Sequence, residues 1–163
     1  DVFSNKVMSL IGSQDKIYSL GSLSLDDLSS FVPVEKLVLL KKFNIPDKDF
    51  VLVTFHPETV LSQLNSSFAN LMRTALSEIS DSINIVITMP NADTLGSVYR
   101  EEIIKLKNDI PNRIFLVENF GKANYFSAMY YSNLLIGNTT NKFLLFKVSK
   151  FFNSFIFNSV INI

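Results

Sequence analysis

The chain has 163 residues, 47% of them hydrophobic, with fifteen Lys and Arg balancing fifteen Asp and Glu: enough for one domain with a full core and short for two ordinary ones. Neutral charge without a long run of either sign argues against nucleic acid as a partner. With no Cys and a single His, disulfides, thiolate nucleophiles and multi-histidine metal centres are excluded, so no metal or cofactor is expected and a reducing cytoplasm suits the chain.

Residue 1 is Asp, and Asp1-Val-Phe-Ser-Asn-Lys6 lacks the basic start and apolar core of a signal peptide, so the chain reads as a fragment. Val2, Val7, Met8, Leu10 and Ile11 suggest a short helix stopped by Gly12, followed by a strand over Lys16–Leu20 that ends at Gly21. Ser24 suits the N-cap of a short helix with Asp26 and Asp27 in its first turn. After Pro33, Val34 to Phe43 reads as another helix, with Lys41 and Lys42 complementing its dipole, and Asn44 to Asp49 as a proline turn.

From residue 50 strands and helices alternate strictly. Strands are expected at Phe50–Phe55, Ile83–Met89, Arg113–Val117 and Asn133–Ile136, and helices at Leu61–Ile79, Thr94–Leu106 and Lys122–Tyr131. A last pair is expected as a helix over Asn141–Phe152 and a strand within Phe155–Ile163. Lys147, Lys150 and three Asn interrupt that apolar end, so it offers no membrane span. Such alternation implies an α/β fold: a Rossmann-like parallel sheet of about five strands with helices on both faces.

In this reading three polar loops leave carboxyl ends of strands, the edge at which open parallel sheets bind ligands. Val51-Leu-Val-Thr-Phe-His-Pro-Glu-Thr59 ends a buried run in the single histidine; His56 is either a ligand-facing group or a turn residue bonding a nearby carbonyl. Gly137-Asn-Thr-Thr140 combines a glycine that permits close approach, Asn138, and two hydroxyls, Thr139 and Thr140, at an expected helix N-terminus. That pattern suits a phosphate, or equally an ordinary N-cap. In Pro90-Asn-Ala-Asp93, Asn91 and Asp93 offer donors and acceptors for sugar hydroxyls, or the loop is a turn with Asp93 as an N-cap. Glu118 and Asn119 mark a fourth strand end, where backbone groups can read a base edge.

Thr54-Phe-His-Pro57, Met89-Pro-Asn-Ala-Asp93 and Ile136-Gly-Asn-Thr-Thr140, in this order and spacing, resemble the hydrolysing UDP-N-acetylglucosamine 2-epimerase family, in its sialic-acid-type branch. Ile17-Tyr-Ser-Leu-Gly-Ser-Leu-Ser-Leu-Asp26 is similar to the segment in which that family's chain crosses between its two domains. The resemblance implies a two-domain fold of glycosyltransferase-B type. Residues 1–22 are then the end of the first domain and the crossover, and 23–163 the nucleotide-binding second domain, incomplete at its C-terminus. It also implies a UDP-sugar substrate in the cleft, with Gly21 near the uracil side and His56 facing sugar and diphosphate as the catalytic candidate. Backbone around Val117 would meet the base, Gly137 to Thr140 would form the diphosphate loop, and Asn91 and Asp93 match a motif of unassigned contact. The missing first domain is the implied partner, oligomers are compatible, and neither nucleic acid nor membrane is expected.

Two departures bear on activity. Asn141-Lys-Phe-Leu-Leu-Phe-Lys147 stands where the family places a small residue, Gly and a ribose-binding Glu, and the chain stops at Val160-Ile-Asn-Ile163, before the family's Gly and Arg segment. The expectation is a truncated or locally frameshifted second domain, inactive by itself. The alternatives are a glycosyltransferase of the same architecture and a non-catalytic remnant α/β domain.

Overall fold

The computed structural model describes residues 2–18, 30–59, 61–92, 96–139, 142–146 and 160–161. The chain divides into two units, Asp1–Val32 and Pro33–Ile163. The first contains helix α1, Val2–Ile11, closed at Gly12, whose φ of 71° is a left-handed value that Gly adopts without strain. Lys16 to Tyr18 form no strand; the rest of the strand expected there, Gly21, and the helix expected from Ser24 fall outside the described residues.

The second unit begins with α2, Lys36–Lys42. Asn44, at φ 54°, ends it in the left-handed conformation that Asn tolerates. Its N–H bonds the Lys41 carbonyl at 3.3 Å, and that of Ile45 reaches the Leu40 carbonyl at 2.9 Å, so the last carbonyls are satisfied. The chain then runs through β1 (Phe50–Thr54), a 3₁₀ turn (Ser62–Leu64), α3 (Asn65–Ser80), β2 (Asn84–Thr88), α4 (Gly96–Asp109), β3 (Ile114–Val117), α5 (Lys122–Tyr131) and β4 (Leu134–Thr139).

These four strands lie in the order β3-β2-β1-β4, all parallel. The apolar strand positions feed one of two cores because successive side chains point to opposite faces. Val51, Val53, Ile85, Ile87, Ile114 and Ile136 pack against Ala69 and Met72 of α3 and Tyr99 and Ile103 of α4. Phe50, Leu52, Val86 and Val117 pack on the other face, against Leu39 and Leu40 of α2 and Ala128 of α5. Full burial of each large side chain contributes roughly 1.5–3 kcal/mol before ordering costs. The expected Rossmann-like sheet with helices on both faces is therefore present.

Of the last expected pair, the strand within Phe155–Ile163 is present and the helix is corrected. Instead of a helix from Asn141, Lys142–Phe146 form strand β5, antiparallel to β4 with Thr139 opposite Lys142, and Val160–Ile161 form β6, antiparallel to β5. Two residues between paired positions suit a hairpin, and a short apolar run carries no period that separates strand from helix. The remainder of 141–163 lies outside the described residues. Among the described residues the sheet thus has six strands, four of them parallel. No helix among the described residues is long and apolar enough to cross a membrane.

Candidate functional site

From β1 the chain winds outward through α3 and α4 on one face to β2 and β3, then returns across the other face through α5 to β4 on β1's far side. The strand order therefore reverses between β1 and β4, and their carboxyl ends diverge to leave a crevice. His56 lies there, two residues past the end of β1. Asn138, in β4, holds its backbone from both sides: Asn138 Oδ1 accepts the His56 N–H at 2.8 Å, and Asn138 Nδ2 donates to the His56 carbonyl at 2.7 Å. Asn65, at the start of α3, does the same for Glu58, with bonds of 2.9 and 3.0 Å. A loop pinned at two points by bidentate carboxamides presents the exposed imidazole of His56 from a fixed backbone.

Beside His56 a cleft of about 330 Å³ opens over the carboxyl ends of β1, β2 and β3 and the start of α5, within the size range of small-molecule sites. Its floor is a chain of hydroxyls. Thr88 donates to Thr54 Oγ1 at 2.8 Å, and Thr54 Oγ1 and the Tyr125 hydroxyl are 3.0 Å apart. Both threonines close their strands and occupy the face on which α5 packs. Asn91 lines one wall, and Glu118, Phe120, Gly121 and Lys122 line the other. Asn119 Oδ1 accepts the Gly121 N–H at 2.7 Å, and Gly121, at φ 69° and ψ 160°, precedes α5 in a conformation largely closed to other residues.

Arg100 couples the two walls. Its guanidinium donates to both Glu118 carboxylate oxygens, at 3.0 and 2.7 Å, and to the Pro90 carbonyl at 2.9 Å. The bonds from Arg100 hold the Glu118 carboxyl below the usual range, and the same pairing raises Arg100. Glu118 is the carboxylate of the cleft lining among the described residues. Behind His56, Phe55 stacks on Tyr99, with ring centroids 6.5 Å apart. Tyr99 is 2% exposed, and burial, then the nearby Glu58, raises its phenol above the ordinary value.

Of the residues singled out from sequence, His56 and Asn91 share this cleft, and Asn138 stands behind His56 as its clamp. Val117 is buried at the end of β3, its carbonyl accepting the Met89 N–H at 2.9 Å. Gly137 and Thr139 are strand residues, paired with Leu144 and Lys142, so the expected helix N-terminus behind Thr139 is absent. Gly137 also faces a close neighbour: a Cβ there would lie 3.2 Å from the Thr54 carbonyl oxygen, so its smallness serves the β1–β4 contact. Gly21, Asp93 and Thr140 lie outside the described residues. Sequence reasoning misses Thr54, Thr88, Arg100 and Tyr125, although a Thr closing each of two apolar strands was a visible signal. No group of three or more His, Asp or Glu side chains among the described residues is arranged to hold a metal ion.

A model of the family described as UDP-N-acetylglucosamine 2-epimerase matches residues 2–140. The chain belongs to the UDP-N-acetylglucosamine 2-epimerase family. Among its relatives, the GDP/UDP-N,N'-diacetylbacillosamine 2-epimerase (hydrolyzing) of Campylobacter jejuni is 21% identical over 142 residues, covering 86% of this chain and 37% of the relative. The UDP-N,N'-diacetylbacillosamine 2-epimerase (hydrolyzing) of Legionella pneumophila is 21% identical over 129 residues, 78% of this chain and 33% of its own. Polysialic acid biosynthesis protein P7 of Escherichia coli is 22% identical over 139 residues, 85% of this chain and 35% of its own. The chain therefore spans about a third of the length of the curated relatives it matches. The epimerase family match contains all three polar loops and ends at Thr140, just before β5.

Proposed function

We propose that the chain is the UDP-binding half of a hydrolysing UDP-sugar 2-epimerase, the second domain of a glycosyltransferase-B-type pair, acting on UDP-N-acetylglucosamine or a diacetamido relative. The products would be UDP and a sugar of the N-acetylmannosamine type. Residues 1–22 are read as the end of the preceding domain and the crossover, residues 23–163 as the nucleotide domain, and the cytoplasm as its compartment. The observation that carries this reading is the clamped His56 beside a cleft of about 330 Å³ where the strand order reverses.

In this reading His56 donates to the sugar or diphosphate, a charge-assisted bond worth roughly 1.5–3 kcal/mol. Asn91 and Asp93 meet sugar hydroxyls, the backbone around Val117 meets the base, and Gly21 approaches the uracil side. Gly137, Asn138 and Thr139 approach the diphosphate from a strand, without a helix dipole, with Thr140 as the further residue of that loop in the sequence, so UDP binding by this chain alone is weak. Epimerisation also needs a base and an acid within hydrogen-bond reach of the substrate. Among the described residues the cleft's carboxylate, Glu118, is engaged by Arg100, and in this reading the base and acid come from the first domain, so no turnover is expected of the 163-residue chain alone.

The test is calorimetric titration of the purified chain with UDP, alongside UDP release from UDP-N-acetylglucosamine measured against an active two-domain relative. Weak UDP binding, reduced further by His56→Ala, with no release, is expected. Turnover comparable to the relative, or UDP binding indifferent to His56→Ala, overturns the reading.

A further inference from the structure

Two of the strand ends that frame the cleft run into proline. His56 is followed by Pro57, and β2 is followed by Met89 and then Pro90. Proline has no N–H to donate, so a parallel ladder stops there unless a side chain takes over the bond. At the first end Asn138 takes it over, gripping both backbone groups of His56 from β4. At the second end the last ladder bond runs from the Met89 N–H to the Val117 carbonyl, at 2.9 Å. Arg100 supplies the next rung.

Arg100 stands one turn into α4 and reaches back to the loop that precedes its own helix. Its Nη1 donates to the Pro90 carbonyl at 2.9 Å and to Glu118 Oε2 at 3.0 Å, and its Nη2 donates to Glu118 Oε1 at 2.7 Å. Pro90 follows the last paired residue of one strand and Glu118 that of the next, so the guanidinium continues the β2–β3 ladder by one step. A planar fork meets these three acceptors at once, which a lysine ammonium on its flexible stem does not reproduce. The carbonyl so held belongs to the planar peptide bond leading into Asn91, an exposed residue that lines the cleft. Arg100 stands behind that wall rather than in its lining.

We propose that Arg100 is a positioning residue for ligand recognition: it fixes the Pro90–Asn91 peptide against Glu118 and thereby sets where the Asn91 carboxamide meets the ligand. A loop left unheld is ordered only on binding, which lowers affinity. This role rests on the cleft being the nucleotide-sugar site proposed above.

The test is a double-mutant cycle read by NMR titration of the isotope-labelled 163-residue chain with UDP-N-acetylglucosamine. Asn91→Ala and Arg100→Lys are each expected to weaken binding about fivefold, and the double variant to bind no more weakly than Asn91→Ala, because Arg100 acts through the carboxamide already removed. Glu118→Gln, at an exposed side chain, runs the same cycle from the other partner of the pair should Arg100→Lys destabilise the fold. A merely structural role gives a different pattern, in which Arg100→Lys weakens binding by the same factor with Asn91 or with Asn91→Ala. That additive result overturns the proposal, as does wild-type affinity in Asn91→Ala or in both Arg100→Lys and Glu118→Gln. His56→Ala reads the underlying site. Binding that is absent, or indifferent to His56→Ala, overturns the nucleotide-sugar reading of the cleft and this role with it; binding that depends on His56 but not on Asn91 and Arg100 overturns this role alone.

Discussion

Asn138 grips the backbone of His56 at both its N–H and its carbonyl, at 2.8 and 2.7 Å, although 82 positions separate the two residues. The pairing ties the loop after β1 to the neighbouring strand β4. The imidazole at the cleft is thereby presented by the sheet itself.

Asn138→Ala removes both bonds and leaves the His56 loop attached through Asn65 alone. A loss of about 1–2 kcal/mol is expected, within the ordinary range for two partly exposed hydrogen bonds. Thermal unfolding reads the stability and amide hydrogen exchange at His56 reads the loop. Unchanged protection of that amide would show that the clamp is not what holds it.

The Arg100–Glu118 pair gives a pH dependence of defined sign. The folded carboxyl lies below its ordinary value of 4.5 because it accepts bonds from Arg100, so the unfolded chain binds that proton more tightly. The stability from this pair is present above about pH 4.5 and is lost as pH falls through the lower folded value. The Glu118 side chain is 71% exposed, which limits the contribution to below about 1 kcal/mol. Urea unfolding of the wild type and of Glu118→Gln should differ at pH 7 and converge in acid. A difference that grows on acidification would reverse the sign.

Two glycines fail in different ways when given a side chain. At Gly137 a Cβ meets the Thr54 carbonyl oxygen at 3.2 Å, so Gly137→Ala must displace β1 from β4, with an overpacking cost of about 1–3 kcal/mol. At Gly121 nothing lies within 4 Å, and the difficulty is φ 69° itself, so Gly121→Ala costs about 1–3 kcal/mol in backbone strain. Gly137→Val should add further overpacking between the strands, whereas at Gly121, with open space around the Cβ, Val should add only the local backbone strain of a β-branched residue at positive φ. Urea denaturation of the four variants reads both increments, and a Gly137→Val no less stable than Gly137→Ala would refute the overpacking.

Leu52 is fully buried in β1, and Leu37 is 56% exposed on α2. Leu52→Ala should cost about 2–5 kcal/mol, because it removes apolar contacts and leaves a cavity the sheet cannot close. Leu37→Ala should stay within about 0.5 kcal/mol. Similar losses at the two sites would mean that the core is not where the strands place it.

Local order made the parallel sheet readable. Strands covered on both faces carry unbroken apolar runs, as in Val51–Val53 and Ile85–Ile87, and α3 repeats its buried residues Ala69, Met72, Leu76 and Ser80 with a helical period. The run at Lys142–Phe146 carries neither kind of period. Its expected helix is instead a strand paired to β4, and with that helix went the dipole expected behind Thr139.

The chain order of apolar runs and polar loops by itself determined the alternating α/β architecture, the loops at the strands' carboxyl ends and the likeness to the UDP-sugar 2-epimerases. Those properties reside in neighbouring residues and in the faces that periodicity creates. Only the tertiary structure decided that Asn138 clamps His56, that Thr54, Thr88 and Tyr125 share one hydroxyl chain, and that Arg100 joins the cleft walls. Each of those depends on strand register and crossover direction, which bring residues tens of positions apart into contact and leave no mark on the residues between them.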